Sequence, residues 1–495
     1  MNKKTAPLLD SRRAGILLHV TSIPVAIGNG YLGQEAKYFI DFLALANISV
    51  WQMLPLGPTH VNGSPYQTLS VHANNSRFID LPWLENKGWL IKDDNQPNLA
   101  LAENYHDTRL KQAYAGFCQQ ASDSDSQAFK TFKRQHQQWL DDYSLFMALH
   151  EKFFGQDWQQ WPIEYRDRQA KTISSARLSL QDEIEQQCFE QFVFFLQWQE
   201  LREYAAQKGI RLLGDMPIFV ASNSDAVWAH QTLFELKDDG SARVVAGVPP
   251  DYFSDTGQLW GNPLYCWDAM QKDDFSWWIG RLQSQLELFD CVRFDHFRAL
   301  ESYWEIPADA ETAIHGNWIK APGKELLSAF IEHFGSLPLI AEDLGIITSE
   351  VEALRDEFDL PGMKVLQFAF GGGPDNIHLP HNHIPNSVVY TGTHDNDTSS
   401  GWYNSLDAAE KTYVDDYLAS SEEDPAWRLI RSAMASTCQL AVVPMQDVLS
   451  LPTQDRMNTP GTIENNWQWQ LDWDQLDEEQ SSHLRHLVGL YGRAA

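Results

Sequence analysis

The feature that most constrains the fold of this 495-residue sequence is an alternation of short apolar runs with longer helix-like stretches. Eight runs have the length and the apolar or β-branched composition of buried strands. They span residues 15–20, 48–54, 210–214, 291–295, 339–342, 363–368, 387–391 and 439–443. Helix-like stretches precede most of them. Such alternation forms parallel sheets, and eight units favour a closed α/β barrel, the (β/α)8 or TIM barrel, over an open doubly wound sheet.

Two connections are too long for a simple crossover between strands. Residues 58–190 hold a loop and then Gln-rich amphipathic stretches, for example 129–150 and 179–199, which predict an inserted, mainly helical subdomain. Residues 216–276 are rich in Gly, Pro and aromatic residues, and they predict a lid-like insertion with a hairpin at Asp239-Gly240. The barrel then consists of residues 1–57 and 191–495. Both insertions leave the C-terminal face of the strands, where barrel enzymes keep their active sites.

Charge and cysteine content exclude several classes of partner. The chain has 37 basic and 67 acidic residues, a net charge of −30, which repels phosphate backbones and argues against nucleic acid. The sequence contains no apolar run of membrane-spanning length, and its first residues lack the apolar core of a signal peptide, so we expect no membrane association and a cytoplasmic location. The five cysteines form no CxxC pair and are odd in number, which fits a reducing compartment and no zinc site.

Two motifs resemble known ligand-binding loops but lack residues that define those loops. Residues 28–33 match GxGxxG, but the first Gly lies well after the first strand and no acid follows the second strand, so a glycine-rich loop is favoured over a nicotinamide dinucleotide site. Asp395-Asn396-Asp397 begins like an EF-hand loop but lacks its Gly and its final Glu. The histidines form neither HxH nor HExxH, which leaves a metal-dependent hydrolase with little support. We therefore expect no metal and no cofactor.

Charged side chains collect where the predicted strands end. Arg293 and Asp295 are two residues apart in the fourth strand and therefore point to one face. That face should be the barrel interior, because Val292 and Phe294 are apolar and would face the surrounding helices. A neighbouring Arg holds a carboxylate in its ionised form, which suits a nucleophile.

Two further acids are expected on the same rim. Glu342 ends the next strand, where burial and other acids would raise its pKa, as a proton donor at neutral pH requires. Asp395 follows the seventh strand and would complete a cluster suited to a positively charged, oxocarbenium-like species. A single Asp at a strand end is more often a cap or a loop residue, and Asp343 and Asp397 are assigned to that structural role.

The aromatic content fits a sugar substrate, although most of the 19 Trp residues are expected in the core. Pyranose rings pack on aromatic faces while their hydroxyl groups bind polar side chains. The stretch 247–263 combines stiff prolines and glycine hinges, as in a lid over the barrel mouth. Its candidate stacking and hydrogen-bonding residues are Tyr252, Phe253, Gln258 and Trp260. Residues 64–67 are interpreted as a second wall.

Across nearly its whole length the sequence resembles the 4-α-glucanotransferases, also called amylomaltases or disproportionating enzymes, of the α-amylase clan. The resemblance rests on long motifs in a fixed order. They include GILLHVTSIP at 15–24, WQMLPLGPT at 51–59, SPYQ at 64–67, GDMPIFVA at 214–221, VAGVPPDYFSDTGQLWGNPLY at 245–265, VRFDHFR at 292–298, IAEDLG at 340–345, LPGMKVLQFAF at 360–370, VVYTGTHDNDT at 388–398 and RMNTPGT at 456–462.

This resemblance implies an activity and roles for individual residues. The enzyme would transfer α-1,4-glucan segments from maltooligosaccharides to glucose or another glucan, with retention of configuration. Asp295 would be the nucleophile, Glu342 the general acid/base and Asp395 the transition-state stabiliser. The residues implied to hold the sugar at the cleavage point are Arg293, His394, Asp215 and His296. Those implied to line the glucan groove are Tyr66, Gln258, Trp260 and Asn458.

Three positions depart from the family pattern, and three other functions stay open. Gly371 stands where the family commonly has Asp, Tyr31 replaces a common Asp, and His383 replaces a Tyr. The same acids could serve an α-glucan hydrolase, and a non-catalytic glucan-binding module or a nicotinamide oxidoreductase are the alternatives from other classes. Retaining chemistry predicts roughly 5–5.5 Å between the carboxyl groups of Asp295 and Glu342. The sequence does not predict an oligomeric state.

Overall fold

The computed structural model describes residues 7–25, 30–93, 102–250, 254–419 and 424–494. Gly28 and Asn29 of the GxGxxG motif, and Tyr252 and Phe253 of the lid stretch, lie outside these ranges. Within them, the strands are β1 (Arg13–Leu17), β2 (Val50–Gln52), β3 (Arg211–Met216), β4 (Val244–Val248), β5 (Gln258–Pro263), β6 (Cys291–Phe294), β7 (Ser302–Pro307), β8 (Asn317–Lys320), β9 (Leu339–Ala341), β10 (Gly362–Val365), β11 (Ser387–Tyr390) and β12 (Leu440–Pro444).

Eight of these strands form one parallel sheet in the order β10-β11-β12-β1-β2-β3-β6-β9. Each is one of the eight apolar runs identified in the sequence. The two ends of the sheet meet, since the Ala341 amide at β9 donates to the Pro361 carbonyl just before β10 at 2.8 Å. The prediction of a (β/α)8 barrel is confirmed.

Helices surround the barrel and build the first insertion. Their bounds are α1 (Gln34–Leu45), α2 (Leu81–Asn86), α3 (Ala102–Gln120), α4 (Asp123–Gln135), α5 (Gln137–Lys152), α6 (Ile163–Arg166), α7 (Ala170–Ser179), α8 (Gln181–Gln207), α9 (Asp225–Ala229), α10 (Trp267–Lys272), α11 (Ser276–Leu288), α12 (Gly323–Phe334), α13 (Ser349–Glu357), α14 (Ser399–Ser405), α15 (Ala408–Leu418), α16 (Pro425–Ala435), α17 (Met445–Val448) and α18 (Glu478–Leu490). In the described part of the chain, none of them is both long and apolar enough to span a bilayer.

Alternation along the barrel strands separates two apolar cores. One core fills the barrel interior, with Leu213, Cys291 and Ile340 among its members. The other lies between the barrel and its helices and includes Val292 and Phe294, whose ring stacks on Trp278 of α11 at a centroid distance of 6.0 Å. Because β6 therefore sends its even-numbered residues outward, Arg293 points into the barrel, as predicted.

The first insertion is built mainly from helices. The stretch 129–150 forms parts of two helices, α4 and α5, which separate at His136. There ψ is 12°, and the imidazole ring packs against Phe132 and Phe195 with centroids 4.5 and 5.0 Å away. Helix α8 runs for 27 residues without a break through residue 190, where the sequence suggested a domain boundary. The division into subdomains stays a proposal.

The lid region belongs to a second sheet, which sequence reasoning recognised only in part. Strands β4 and β5 pair antiparallel, and β7 and β8, from the connection after β6, extend the sheet in the order β5-β4-β7-β8. The hairpin at Asp239-Gly240 is confirmed by an antiparallel bridge between Leu236 and Ala242. The strands 302–307 and 317–320 were not predicted.

Candidate active site at the C-terminal rim of the barrel

Arg293 is the centre of the polar cluster inside the barrel mouth. Strands β3 and β6 are paired with Asp215 opposite Arg293, so both side chains share one level of the interior. The Arg293 Nη1 atom lies 2.8 Å from Asp215 Oδ2 and 2.8 Å from Asp295 Oδ1. The Tyr66 hydroxyl donates to Asp215 Oδ2 at 2.8 Å. One guanidinium therefore joins two carboxylates from neighbouring strands.

The charges in this cluster compensate one another. Burial alone would lower the pKa of Arg293, but the negative charges of Asp215 and Asp295 hold it well above its ordinary value. Burial raises the pKa of Asp215, and the Arg293 guanidinium opposes that rise. Burial also raises the pKa of Tyr66 well above its usual range, with Asp215, Asp295 and Asp395 contributing. The phenol is thus surrounded by acids from three different strand ends.

Glu342 follows β9 and is only 8% exposed. Its Oε2 accepts a hydrogen bond from the His296 amide at 2.6 Å, and its Oε1 accepts one from the Leu344 amide at 2.9 Å. Burial raises the pKa of Glu342 to about 7; the Arg293 charge opposes this rise and the Asp295 charge adds to it. At neutral pH the group is therefore divided between its acid and its base form.

Asp395 is held at the rim by the segment after β12. Its Oδ1 accepts a hydrogen bond from Asn458 Nδ2 at 2.6 Å, and its carbonyl accepts one from Arg456 Nη2 at 2.8 Å. The Asp395 side chain is 47% exposed, whereas the neighbouring His394 is buried, with its Nε2 3.4 Å from Asp395 Oδ2. Asp395 therefore faces the open mouth, while His394 closes the interior behind it.

Aromatic rings pack together beside the acids of the rim, and one of these residues was missed in the sequence. Tyr66 stacks on His394 with centroids 5.0 Å apart, and Trp467 lies 6.0 Å from each ring. Trp467 has a φ of +63°, a left-handed conformation that is rare for a bulky residue and is often found at functional sites. No local sequence signal marks this conformation, although Trp467 follows the RMNTPGT motif closely.

The lid sheet reaches the site through β5. The Trp260 ring meets His296 edge to face at a centroid distance of 4.8 Å, and its Nε1 donates to Gln258 Oε1 at 3.1 Å. His296 itself adopts a left-handed φ of +51°, which allows its amide to point at Glu342. Burial lowers the pKa of His296 to about 3, so its ring is neutral.

Asp343 and Asp397 brace the backbone around the site. Asp343 accepts a hydrogen bond from the Met363 amide at 2.7 Å and pairs with Arg355 at 2.5 Å. Asp397 accepts hydrogen bonds from the Thr398 amide at 2.8 Å and from Thr453 Oγ1 at 3.0 Å. These four contacts agree with the structural role assigned from the sequence.

Two of the three departures from the family pattern contact residues outside the charged cluster. Gly371 is exposed. Tyr31 stacks on His106 with centroids 5.4 Å apart, and the His383 Nδ1 atom lies 2.7 Å from Ser436 Oγ. None of these contacts involves Asp295, Glu342 or Asp395.

The fold and the rim together define a class of protein. A (β/α)8 barrel with an Arg-paired Asp and a buried, partly protonated Glu at its C-terminal rim is an arrangement found in enzymes that act on glycosidic bonds. Comparison with known proteins makes the assignment specific. Residues 18–476 match the profile of glycoside hydrolase family 77, 4-alpha-glucanotransferase. The chain belongs to this family.

Individual relatives agree over the full chain. The 4-alpha-glucanotransferase of Thermus thermophilus is 48% identical, with 96% of this chain and 98% of that protein covered. The chloroplastic/amyloplastic 4-alpha-glucanotransferase of Arabidopsis thaliana is 43% identical, with 97% and 86% covered. The solved amylomaltase of Streptococcus agalactiae in complex with acarbose superimposes with a TM-score of 0.94 at 37% identity, covering 98% of this chain and all of that one. The chain is therefore a retaining 4-α-glucanotransferase, and hydrolysis as its main activity is not favoured.

Proposed function

We propose that Asp295 is the nucleophile, Glu342 the general acid/base and Asp395 the stabiliser of the transition state in glucan transfer. The observation that carries this proposal is the contrast between two neighbouring carboxyl groups. The Asp295 Oδ1 atom lies 2.8 Å from the Arg293 guanidinium, whereas Glu342 accepts hydrogen bonds from two backbone amides and burial raises its pKa to about 7. Two acids with opposed environments are what a double displacement requires.

In the first step, a carboxylate oxygen of Asp295 attacks the anomeric carbon of the donor glucan. The bond from that carbon to the glycosidic oxygen breaks, and the proton of Glu342 passes to the leaving oxygen, the 4-oxygen of the departing chain. The product is a β-glucosyl ester of Asp295, and Glu342 is left ionised. Positive charge that develops on the sugar ring is stabilised by the exposed carboxylate of Asp395.

In the second step, the 4-hydroxyl group of an acceptor sugar occupies the position that the leaving chain held. Glu342 takes the hydroxyl proton, the oxygen attacks the anomeric carbon, and the ester bond to Asp295 breaks. The α-1,4 linkage is restored and Glu342 is again protonated. The two inversions give net retention, and they require the two carboxyl groups roughly 5–5.5 Å apart.

The remaining polar residues hold the donor sugar and the acceptor. Asp215, Arg293, His296 and His394 surround the position of the reacting ring, and Tyr66, Gln258, Trp260 and Asn458 line the groove that leads to it. Contact between Trp260 of the lid sheet and His296 supports a role of the lid in excluding water before the acceptor binds. Maltooligosaccharides, α-1,4-glucans and glucose are the proposed donors and acceptors. A cytoplasmic location is proposed on the five free cysteines.

Incubation with maltotriose and sizing of the products tests the proposal. Transfer yields glucose together with a ladder of longer chains, whereas hydrolysis yields only shorter ones. Asp295→Asn and Glu342→Gln should each reduce turnover by on the order of 10⁴-fold, as the loss of other catalytic groups does, and should leave maltotriose binding intact. Asp477→Asn, at the exposed start of α18, is the control and should transfer normally. Full activity of Asp295→Asn would refute the assignment.

A further inference from the structure

His394 and Asp395 lie on a loop whose two ends are close together. The loop comprises residues 392–398, between Thr391 after β11 and Ser399 at the start of α14. Thr391 and Ser399 are both completely buried. The position of the Asp395 carboxylate relative to the substrate therefore depends on how these two ends are held.

Asp447 holds both ends with one carboxylate. It lies in α17, directly after β12, the strand that pairs with β11. Its Oδ2 accepts hydrogen bonds from Thr391 Oγ1 at 2.5 Å and from Ser399 Oγ at 2.7 Å. Its Oδ1 accepts one from the Ser399 amide at 2.7 Å. One side chain thus fixes the separation of the two loop ends and their distance from the neighbouring strand.

Asp447 makes these contacts without a cationic partner. Asp447 is 1% exposed, and its three donors are neutral groups rather than a cation. A buried carboxylate without a cationic partner costs free energy that an apolar side chain of similar size would not. Its three hydrogen bonds offset part of that cost and define the position of the loop ends closely.

Other contacts make the loop itself stiff. Asn396 Oδ1 accepts hydrogen bonds from the Thr393 amide and hydroxyl at 2.9 Å each. Gln367 Nε2, beyond β10, donates to the Asp397 carbonyl at 2.8 Å. A stiff loop moves as one body when its ends shift. A displacement of the ends that Asp447 holds would therefore also displace Asp395.

We propose that Asp447 is a positioning residue for glucan transfer, which fixes the loop carrying His394 and Asp395 by binding both of its ends. This inference rests on the proposed role of Asp395 as stabiliser of the transition state. It concerns a buried residue that acts through the loop.

The test measures kcat, KM for maltotriose and the free energy of unfolding for Asp447→Ala, Asp447→Asn and Asp395→Asn. Asp447→Ala should lower kcat about 100-fold, the effect of a displacement of about 1 Å, with KM changed less than about threefold. Asp447→Asn can keep the bond to the Ser399 amide and donate to the two hydroxyl groups, so it should retain kcat within about threefold. Glu190→Ala, at a buried carboxylate in the helical insertion, is the control and should lower stability without changing kcat.

A double substitution separates the positioning effect from a general loss of structure. If Asp447 acts through Asp395, Asp447→Ala in the Asp395→Asn background should lower kcat less than about threefold further. A second full 100-fold loss, or an equal loss in Glu190→Ala, would overturn the inference. If Asp395→Asn itself is fully active, the proposed role of Asp395 fails; if it is impaired while Asp447→Ala is normal, only the positioning inference fails.

Single hydroxyl deletions serve if Asp447→Ala does not fold. Thr391→Val and Ser399→Ala each remove one donor to Asp447 and keep the backbone contact of Ser399. Each should lower kcat about tenfold at nearly unchanged KM, a smaller displacement than that of the alanine variant. Normal kcat in both folded variants would show that the loop ends need no such fixation.

Discussion

Two buried arginines lie near opposite ends of the same barrel. One contacts carboxyl groups, and the other contacts backbone carbonyl oxygens. Arg293, at the C-terminal rim, lies 2.8 Å from the carboxylates of Asp215 and Asp295. Arg493, near the chain terminus, is completely buried at the N-terminal end and bonds only carbonyl oxygens among its described contacts. Those carbonyls belong to Arg13, Ala433, Met434, Ser436, Cys438 and Gln439.

The partners of Arg493 explain what it does for the fold. Arg13 and Gln439 lie at the starts of the paired strands β1 and β12, and Ala433 and Met434 end α16, where the helix dipole is negative. Arg493 therefore links the starts of two strands to the end of a helix at the N-terminal end of the barrel, its floor. Burial, together with the nearby charge of Arg12, lowers the pKa of Arg493 to about 9, so it stays charged at neutral pH.

The difference shows how one barrel separates chemistry from stability. At the rim, two carboxyl groups contact the arginine, and the same guanidinium opposes the rise in the pKa of Glu342 that burial causes. At the floor, neutral carbonyl dipoles satisfy the guanidinium, and nothing there needs to change its charge. Substitutions at the two sites should therefore affect different measurements.

Arg293→Met should give the largest effect on turnover. Without the guanidinium, Asp215 and Asp295 lose the cation that contacts both of them, and the nucleophile loses the partner that holds its carboxyl group in position. We expect kcat/KM for maltotriose to fall by on the order of 10³-fold or more, with a loss of roughly 3–5 kcal/mol in the free energy of unfolding, because a buried pair is broken. Steady-state kinetics and denaturant unfolding measure the two effects. Turnover within tenfold of the parent enzyme would show that the cation does not control Asp295.

The sequence predicts the barrel better than the lid sheet for a physical reason. The eight barrel strands are buried on both faces and therefore appear as continuous apolar runs. Strands β7 and β8 are only partly buried, and they contain the polar residues Glu305 and Asn317. Strand β7 pairs with β8 and also with β4, and the pairing with β4 joins segments about 60 residues apart.

The residues of the candidate site are likewise divided into those that the sequence could predict and those that it could not. Asp295 and Glu342 could be located because each ends a recognisable strand on a known face. Asp447 could not, because its partners Thr391 and Ser399 lie 56 and 48 residues away and no local pattern links them. The position of the Trp467 side chain depends on a left-handed backbone conformation, which the neighbouring residues in the sequence do not indicate. Long-range contacts and unusual torsion angles are the parts that require a structure.

Arg493→Met should affect stability and leave catalysis intact. It leaves carbonyls at the ends of β1, β12 and α16 without their donor, which should lower the free energy of unfolding by roughly 3 kcal/mol. The rim is far along the strands, so kcat per folded molecule should stay within about twofold. Thermal or denaturant unfolding and active-site-normalised kinetics measure the two quantities. A large fall in kcat without loss of stability would contradict the separation of floor and rim.

The pH dependence of transfer gives the smallest and most selective test of the rim. Glu342 must be protonated to donate in the first step, and its pKa is raised to about 7, so kcat/KM should fall about tenfold per pH unit above about pH 7. The contribution of Glu342 to the free energy of unfolding depends on pH in a different range. A carboxyl group whose pKa is raised in the folded state destabilises the fold progressively as the pH rises from its unfolded pKa of 4.5 to about 7, and its effect is constant above that range. Transfer should therefore decline between pH 7.5 and 8.5 without a parallel change in the free energy of unfolding due to this group. Initial rates with maltotriose and unfolding curves in the same buffers distinguish this outcome from a common decline, which would place the titrating group in the fold rather than in the reaction.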